Sequence, residues 1–174
     1  TDTHGRRNYI VQGVKSNKGK GNKAAMLQPM FLLEFEGITT KHTQMDRMKD
    51  VRLSSPLRSI PFDVRKSTIS LFMAEVLYRL IKEVEPNSGL FSFISDSVAA
   101  LDSMEEGISN FHLWFLVQLS AFLGFYPGNG YTEGDYFDIV EGTFVRERPE
   151  HSIAINQPNS GLLGSLMVLS LIYI

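Results

Sequence analysis

A chain of 174 residues with 43% hydrophobic and 21% charged side chains has the material for a buried core, which excludes wholesale disorder. It contains no cysteine, which excludes disulfides and thiolate-ligated zinc. The net charge of -2 conceals a polarity: through Arg58, eleven Lys/Arg stand against five Asp/Glu, a balance of +6, and the remainder carries six against fourteen, a balance of -8. A basic first third on a near-neutral protein points to an anionic partner for that third alone.

Asn8–Val14 is rich in β-branched and aromatic residues and is predicted to be a strand. Lys15–Lys23, KSNKGKGNK, contains no apolar residue and is predicted to be a solvated loop. Ala24–Gln28 suits one helical turn. Pro29–Gly37 forms a second strand, with Leu33 and Phe35 alternating against Glu34 and Glu36. Lys41–Leu53 is a third extended segment, polar and basic, and is expected at a sheet edge. Strand, basic loop, strand, strand is a β-meander, most simply part of a small barrel.

Ser59–Glu85 holds the clearest helix. Ile69, Phe72, Val76, Leu80 and Val84 recur at helical spacing, widened by Met73, Leu77 and Ile81, and Glu85-Pro86-Asn87 is the expected stop. Asn87–Asp102 forms a second helix, with Leu90, Phe93, Ile94, Val98 and Leu101 on one face. Glu105–Phe125 forms a third, apolar around most of its circumference and closed by Gly124 and Pro127. Tyr136–Ile139 and Thr143–Arg146 are expected to pair as a short hairpin around Glu141-Gly142. Asn159 or Ser160 is the expected cap of a final helix. The apolar run Leu162–Ile174 is shorter than the about 20 residues that span a bilayer and reads as a core helix. The abrupt start at Thr1 and the apolar finish read as a chain lacking both ends, and no signal peptide is visible.

No constellation supports catalysis. Gly13–Gly21 follows a strand, as a phosphate loop would, but five residues separate Gly13 from Gly19 and Gly21 follows Lys20, so the G-x-x-x-x-G-K-[ST] pattern fails. His4, His42, His112 and His151 lack ligand spacing, and His112, among Phe111, Leu113 and Trp114, suits a hydrogen-bonded core or interface position. Glu105 and Glu106 suit a helix start, where the dipole favours acids. No metal or cofactor is expected, and the protein is expected not to be an enzyme.

The cations carry the signal. Arg6, Arg7, Lys15, Lys18, Lys20, Lys23, Lys41, Arg47, Lys49 and Arg52 fall in the β region, where they would follow a phosphate backbone without reading sequence. Tyr9, Phe31 and Phe35 are the aromatics there, and the two phenylalanines fit a core. Arg65 and Lys66 fall in a first helical turn, where free N–H groups and two cations would make a phosphate site; solvated cations on a helix shoulder are the simpler alternative. A basic face for an acidic protein, acting as an interaction scaffold that never meets DNA, is the alternative function.

Several stretches together resemble the RecO family of bacterial DNA repair and recombination mediators. They are Arg7–Val14 with Lys15–Lys23, then Leu27-Gln28-Pro29 and Leu32-Leu33-Glu34, then Arg58–Asn87, Glu105–Pro127 and Gly134–Phe144; the likeness is to the Bacteroidetes branch. The resemblance implies an α+β protein: an N-terminal OB-fold-like barrel over residues 1–58, its first strands before Thr1, and a helical domain over 59–174 with a cysteine-free hairpin near 128–146. It implies binding of single- and double-stranded DNA, strand annealing and, with RecR, help in loading RecA. It also implies contact with the acidic tail of single-stranded DNA-binding protein, and a cytoplasmic, nucleoid-associated location with no membrane. Many family members carry a four-cysteine zinc module after the L-G-F-x-P segment; here Leu123–Pro127 is followed by none. Glu105–Phe125 has no Lys or Arg for the partner tail, which leaves Arg79 and Lys82, beside Arg65 and Lys66, as substitutes.

Overall fold

The computed structural model describes residues 1–14, 23–39, 45–82, 84–128 and 130–169. The chain divides into two compact units, Thr1–Ser109 and Asn110–Ile174.

In the first unit, β1 (Tyr9–Val11), α1 (Lys23–Met26), β2 (Leu33–Ile38) and β3 (Asp46–Leu53) precede two helices, α2 (Val64–Leu80) and α3 (Ser88–Ser103). The sheet order is β1-β3-β2, so the basic strand lies in the centre and not at an edge. It pairs parallel with β1 and antiparallel with β2. A meander is therefore not what forms, and among the described residues these strands close no barrel. The single turn expected at Ala24–Gln28 is α1, one residue earlier.

Between the pairs Glu34–Arg52 and Glu36–Lys49 the register shifts, two residues of β3 standing against one of β2. Asp50 takes up the extra residue at φ 48°, a left-handed conformation that aspartate tolerates better than most residues. In consequence Arg47, Lys49 and Arg52 share one face with Ile10, Glu34, Glu36 and Ile38. Tyr9, Val11, Leu33, Phe35, Met48, Val51 and Leu53 occupy the other, where Tyr9 meets Phe35 edge-on at 4.9 Å.

The buried apolar side chains of this unit lie on the helices and their flanks: Ile60, Ile69, Met73, Val98, Leu101 and Ile108. On α2 the buried line is Lys66, Ile69, Ser70 and Met73. The expected stripe is only partly buried, since Phe72, Leu80 and Val84 are exposed. The helix also ends at Leu80, before the expected stop at Glu85, so Ile81 and Val84 fall outside it. The reason lies in the N-terminal segment. Arg6 donates to the carbonyls of Tyr78 and Ile81 and sits 5.0 Å over the Tyr78 ring, which satisfies carbonyls that a further turn would have engaged. Gly5 (φ 64°) lies so close to the carbonyls of Val84 and Glu85 that a Cβ would collide with them.

Helix α3 begins as its sequence dictates: Asn87 Oδ1 accepts from the Leu90 N–H at 2.9 Å. The third expected helix does not start at Glu105. Gly107 takes φ 70°, a 3-10 turn covers Ile108–Asn110, and α4 runs Phe111–Phe122.

In the second unit, α4 closes in a Schellman motif: the Phe125 N–H reaches the Ser120 carbonyl and the Gly124 N–H that of Ala121, with Gly124 at φ 80°. The predicted hairpin is β4 (Tyr136–Asp138) with β5 (Thr143–Val145), and β6 (Ala154–Ile155), not expected, joins the other side of β4. Phe137 and Phe144 are buried against each other at 5.0 Å. Helix α5 (Asn159–Leu169) contains both residues expected as its cap. Ser160 is buried and donates to the Asp135 carbonyl at 2.7 Å. The Tyr131 ring crosses α5 at Gly164, where a Cβ would come within 2.5 Å of the tyrosine Cβ.

Candidate nucleic-acid interface

The first unit brings three of the expected cations together. Pairing of β3 with its neighbours sets Arg47, Lys49 and Arg52 along one exposed sheet face. Their surroundings differ. Arg47 stands between Ile10 and Ile38 in the cross-strand row. Lys49 faces Glu36 in register. Arg52 is engaged: its Nη2 lies 2.6 Å and its Nε 2.8 Å from Glu34 Oε2, and Ser54 Oγ donates to Glu34 Oε1 at 3.2 Å. The Arg52 hydrogen bond, then its charge, holds the Glu34 carboxyl below its ordinary value. Among the described strand residues this face carries no aromatic ring, and Tyr9 belongs to the opposite one.

The other candidates divide. Lys23 is exposed on α1. Arg7 is exposed, with Nε donating to the His4 carbonyl at 3.1 Å. Arg6 serves as the C-terminal cap of α2. Lys15, Lys18, Lys20 and Lys41 lie outside the described residues.

The paired site expected at Arg65 and Lys66 does not form. Lys66 is only 3% exposed. Its Nζ donates to Ser59 Oγ at 2.7 Å and to the Asp102 carbonyl at 2.8 Å. Ser59 Oγ in turn donates to the Asp102 carbonyl. The Asp102 carboxylate accepts the backbone N–H groups of Arg58, Ser59 and Ile60 at 2.7, 2.9 and 2.8 Å. Burial pushes this carboxyl up, but those backbone bonds and the serine hydroxyl outweigh it and hold it below the ordinary 3.8. The cluster fastens the approach to α2 onto the end of α3. Arg65 stays exposed but pairs with Asp63, the α2 N-cap, at 2.8 Å. Its side-chain hydrogen bond is the largest of the causes that hold Asp63 at about 2. On the same helix Arg79 pairs with Glu75 at 2.5 Å, and Lys82, beyond the cap, is exposed.

In the second unit the β4–β5 hairpin is organised by Asp138. It is buried and accepts the N–H groups of Val140 and Glu141 at 2.8 and 3.1 Å, with His151 Nε2 at 3.2 Å. Among the described residues no three His, Asp or Glu gather as a metal-holding group. No helix among them is long and apolar enough to cross a membrane.

Comparison with known proteins decides the family. Over 169 residues, 96% of this chain and 69% of the relative, the sequence is 41% identical to the DNA repair protein RecO of Bacteroides fragilis. The chain belongs to the RecO family. The RecO protein of Phocaeicola vulgatus is 35% identical over 168 residues, 96% of this chain and 69% of its own. That of Flavobacterium psychrophilum is 36% identical over 154 residues, 88% and 63% respectively. The family description "Recombination protein O C terminal" matches residues 61–128, the span from the approach to α2 through the end of α4.

Sequence reasoning missed Asp102 as the residue that fastens α2 to α3, and Glu34 and Glu36 as the acids that share the face of the β3 cations. Only the alternation of Glu34 and Glu36 in β2 pointed to a charged sheet face. Asp102 contacts a segment more than forty residues away, and no local pattern announces that.

Proposed function

We propose that this RecO-family chain is a non-enzymatic mediator of DNA repair and recombination. It binds single- and double-stranded DNA through backbone phosphates and holds two strands for annealing. With RecR it helps RecA load onto strands occupied by single-stranded DNA-binding protein, whose acidic tail it contacts. The observation that carries the reading is family membership across 96% of the chain; the face bearing Arg47, Lys49 and Arg52 supplies a physical means. The basic loop with Lys15, Lys18, Lys20 and Lys23, and Lys41, extends that means in sequence. In this reading residues 1–58 are an OB-fold-like domain and 59–174 a helical one, working in the cytoplasm at the nucleoid. Arg79 and Lys82 are the proposed contacts of the acidic tail.

The test is a fluorescence titration of the protein with labelled single-stranded oligonucleotide across salt concentrations. Affinity is expected to fall with a log–log slope of about -0.7 per phosphate neutralised. Replacing Lys15, Lys18, Lys20 and Lys23 by Ala flattens that slope. An absence of salt-dependent binding would overturn the reading in favour of an acidic protein partner.

A further inference from the structure

We propose that Glu34 and Glu36 are internal competitors for the phosphates held by the sheet face, setting how tightly a strand is gripped. The inference rests on the DNA-binding reading above and adds two residues to it. A guanidinium fork accepts carboxylate and phosphate in the same two-point geometry. Arg52 already holds a carboxylate, with Nη2 and Nε both converging on the single oxygen Glu34 Oε2, so the same donors are the ones a phosphate oxygen would take. Ser54 fixes the other oxygen, so Glu34 is oriented toward the cation by two neighbours. One row along, Glu36 stands across from Lys49, whereas the register neighbours of Arg47 are the apolar Ile10 and Ile38. The three cations on the central strand are thus graded, and the acids that grade them lie in one adjacent strand.

The pair is exposed, Arg52 at 76% and Glu34 at 50%, so solvent screens it and it makes a weak lock. A single anion gains little by exchanging with Glu34. A polyanion touching Arg47, Lys49 and Arg52 together gains three contacts and displaces both acids. The arrangement favours a continuous backbone over isolated anions. It also leaves a carboxylate beside the phosphates that depart from Lys49 and Arg52, which eases release of the strand.

The experiment uses the full chain, a labelled oligothymidylate of about 20 nucleotides, and Glu34→Gln, which keeps shape and removes charge. Glu34→Gln is expected to bind about three- to tenfold tighter at low salt, with the slope steeper by about 0.7. Glu36→Gln moves affinity the same way. Adding Arg52→Gln to Glu34→Gln abolishes the gain. Glu75→Gln, which makes the same change of net charge at the Arg79 pair on α2, leaves affinity near that of the parent. The proposal is overturned if Glu34→Gln and Glu36→Gln, folded by circular dichroism, keep parental affinity and slope, or if Glu75→Gln gains as much as they do. Either result, with salt-dependent binding by the parent protein, leaves the DNA reading standing. Loss of binding in the parent protein would remove both.

Discussion

The ammonium of Lys66 donates to the backbone carbonyl of Asp102 at 2.8 Å, joining the first turn of α2 to the last turn of α3. A lysine that reads in the sequence as a surface cation therefore belongs to the interior. Lys66→Met keeps length and removes the donor, leaving Ser59 Oγ and the Asp102 carbonyl each short of a partner. The expected cost is about 1–3 kcal/mol, measured by urea denaturation. DNA affinity of the folded variant and its salt slope are expected to be unchanged. A flattened slope would return Lys66 to the binding surface.

Asp102 predicts acid sensitivity. Its folded pKa lies below the ordinary 3.8, so its contribution to stability is full above that value and disappears as pH falls through the folded one. Asp102→Asn, which retains one carbonyl oxygen as acceptor, is expected to be less stable than the parent at neutral pH. It should also lose less stability between about pH 5 and pH 2. Urea midpoints collected across that range test both statements.

Arg6 and Arg47 separate two uses of arginine. Arg47→Ala is expected to reduce the salt slope of DNA binding by about 0.7 for single strands and to leave the melting temperature nearly constant. Arg6→Ala removes the cap of α2 and is expected to do the reverse, lowering the melting temperature and speeding amide exchange in the last turn of the helix. An effect of Arg6→Ala on the slope alone would show that its guanidinium meets DNA and not the helix end.

Gly164 predicts a steric limit in the second unit. Gly164→Ala places a methyl group 2.5 Å from the Tyr131 Cβ, and backbone or ring must shift to admit it. The expected destabilisation is about 1–3 kcal/mol, read from a lowered urea midpoint. The usual advantage of alanine over glycine in a helix works against it, so a stabilised variant would show that Tyr131 moves aside freely.

These cases indicate which features were legible in the sequence. The start of α3 was, because Asn87 and the N–H that it caps are three residues apart. The end of α4 was, because Gly124 supplies the left-handed residue that the stop needs. Features set by distant neighbours were not. The end of α2 depends on Arg6, more than seventy residues earlier in the chain. Burial of Lys66 depends on Asp102, thirty-six residues later. The central place of β3 depends on a parallel pairing with β1 that polar composition argued against. The family resemblance was legible in full, since ordered segments carry it without reference to contacts.

Asp50 carries a consequence for any comparison of related chains. On an uninterrupted strand, positions 49 and 52 would point to opposite sides, because side chains alternate with a period of two. The extra residue resets the parity, and two cations that a flat alignment would separate become companions. Removing one position between them would remove the bulge, and the two cations, then two residues apart, would share that face by plain alternation. The spacing of basic residues in this strand is therefore a frame as much as a composition. Relatives that keep every lysine and arginine at this spacing but lose the bulge would present a different electrostatic pattern to the same partner.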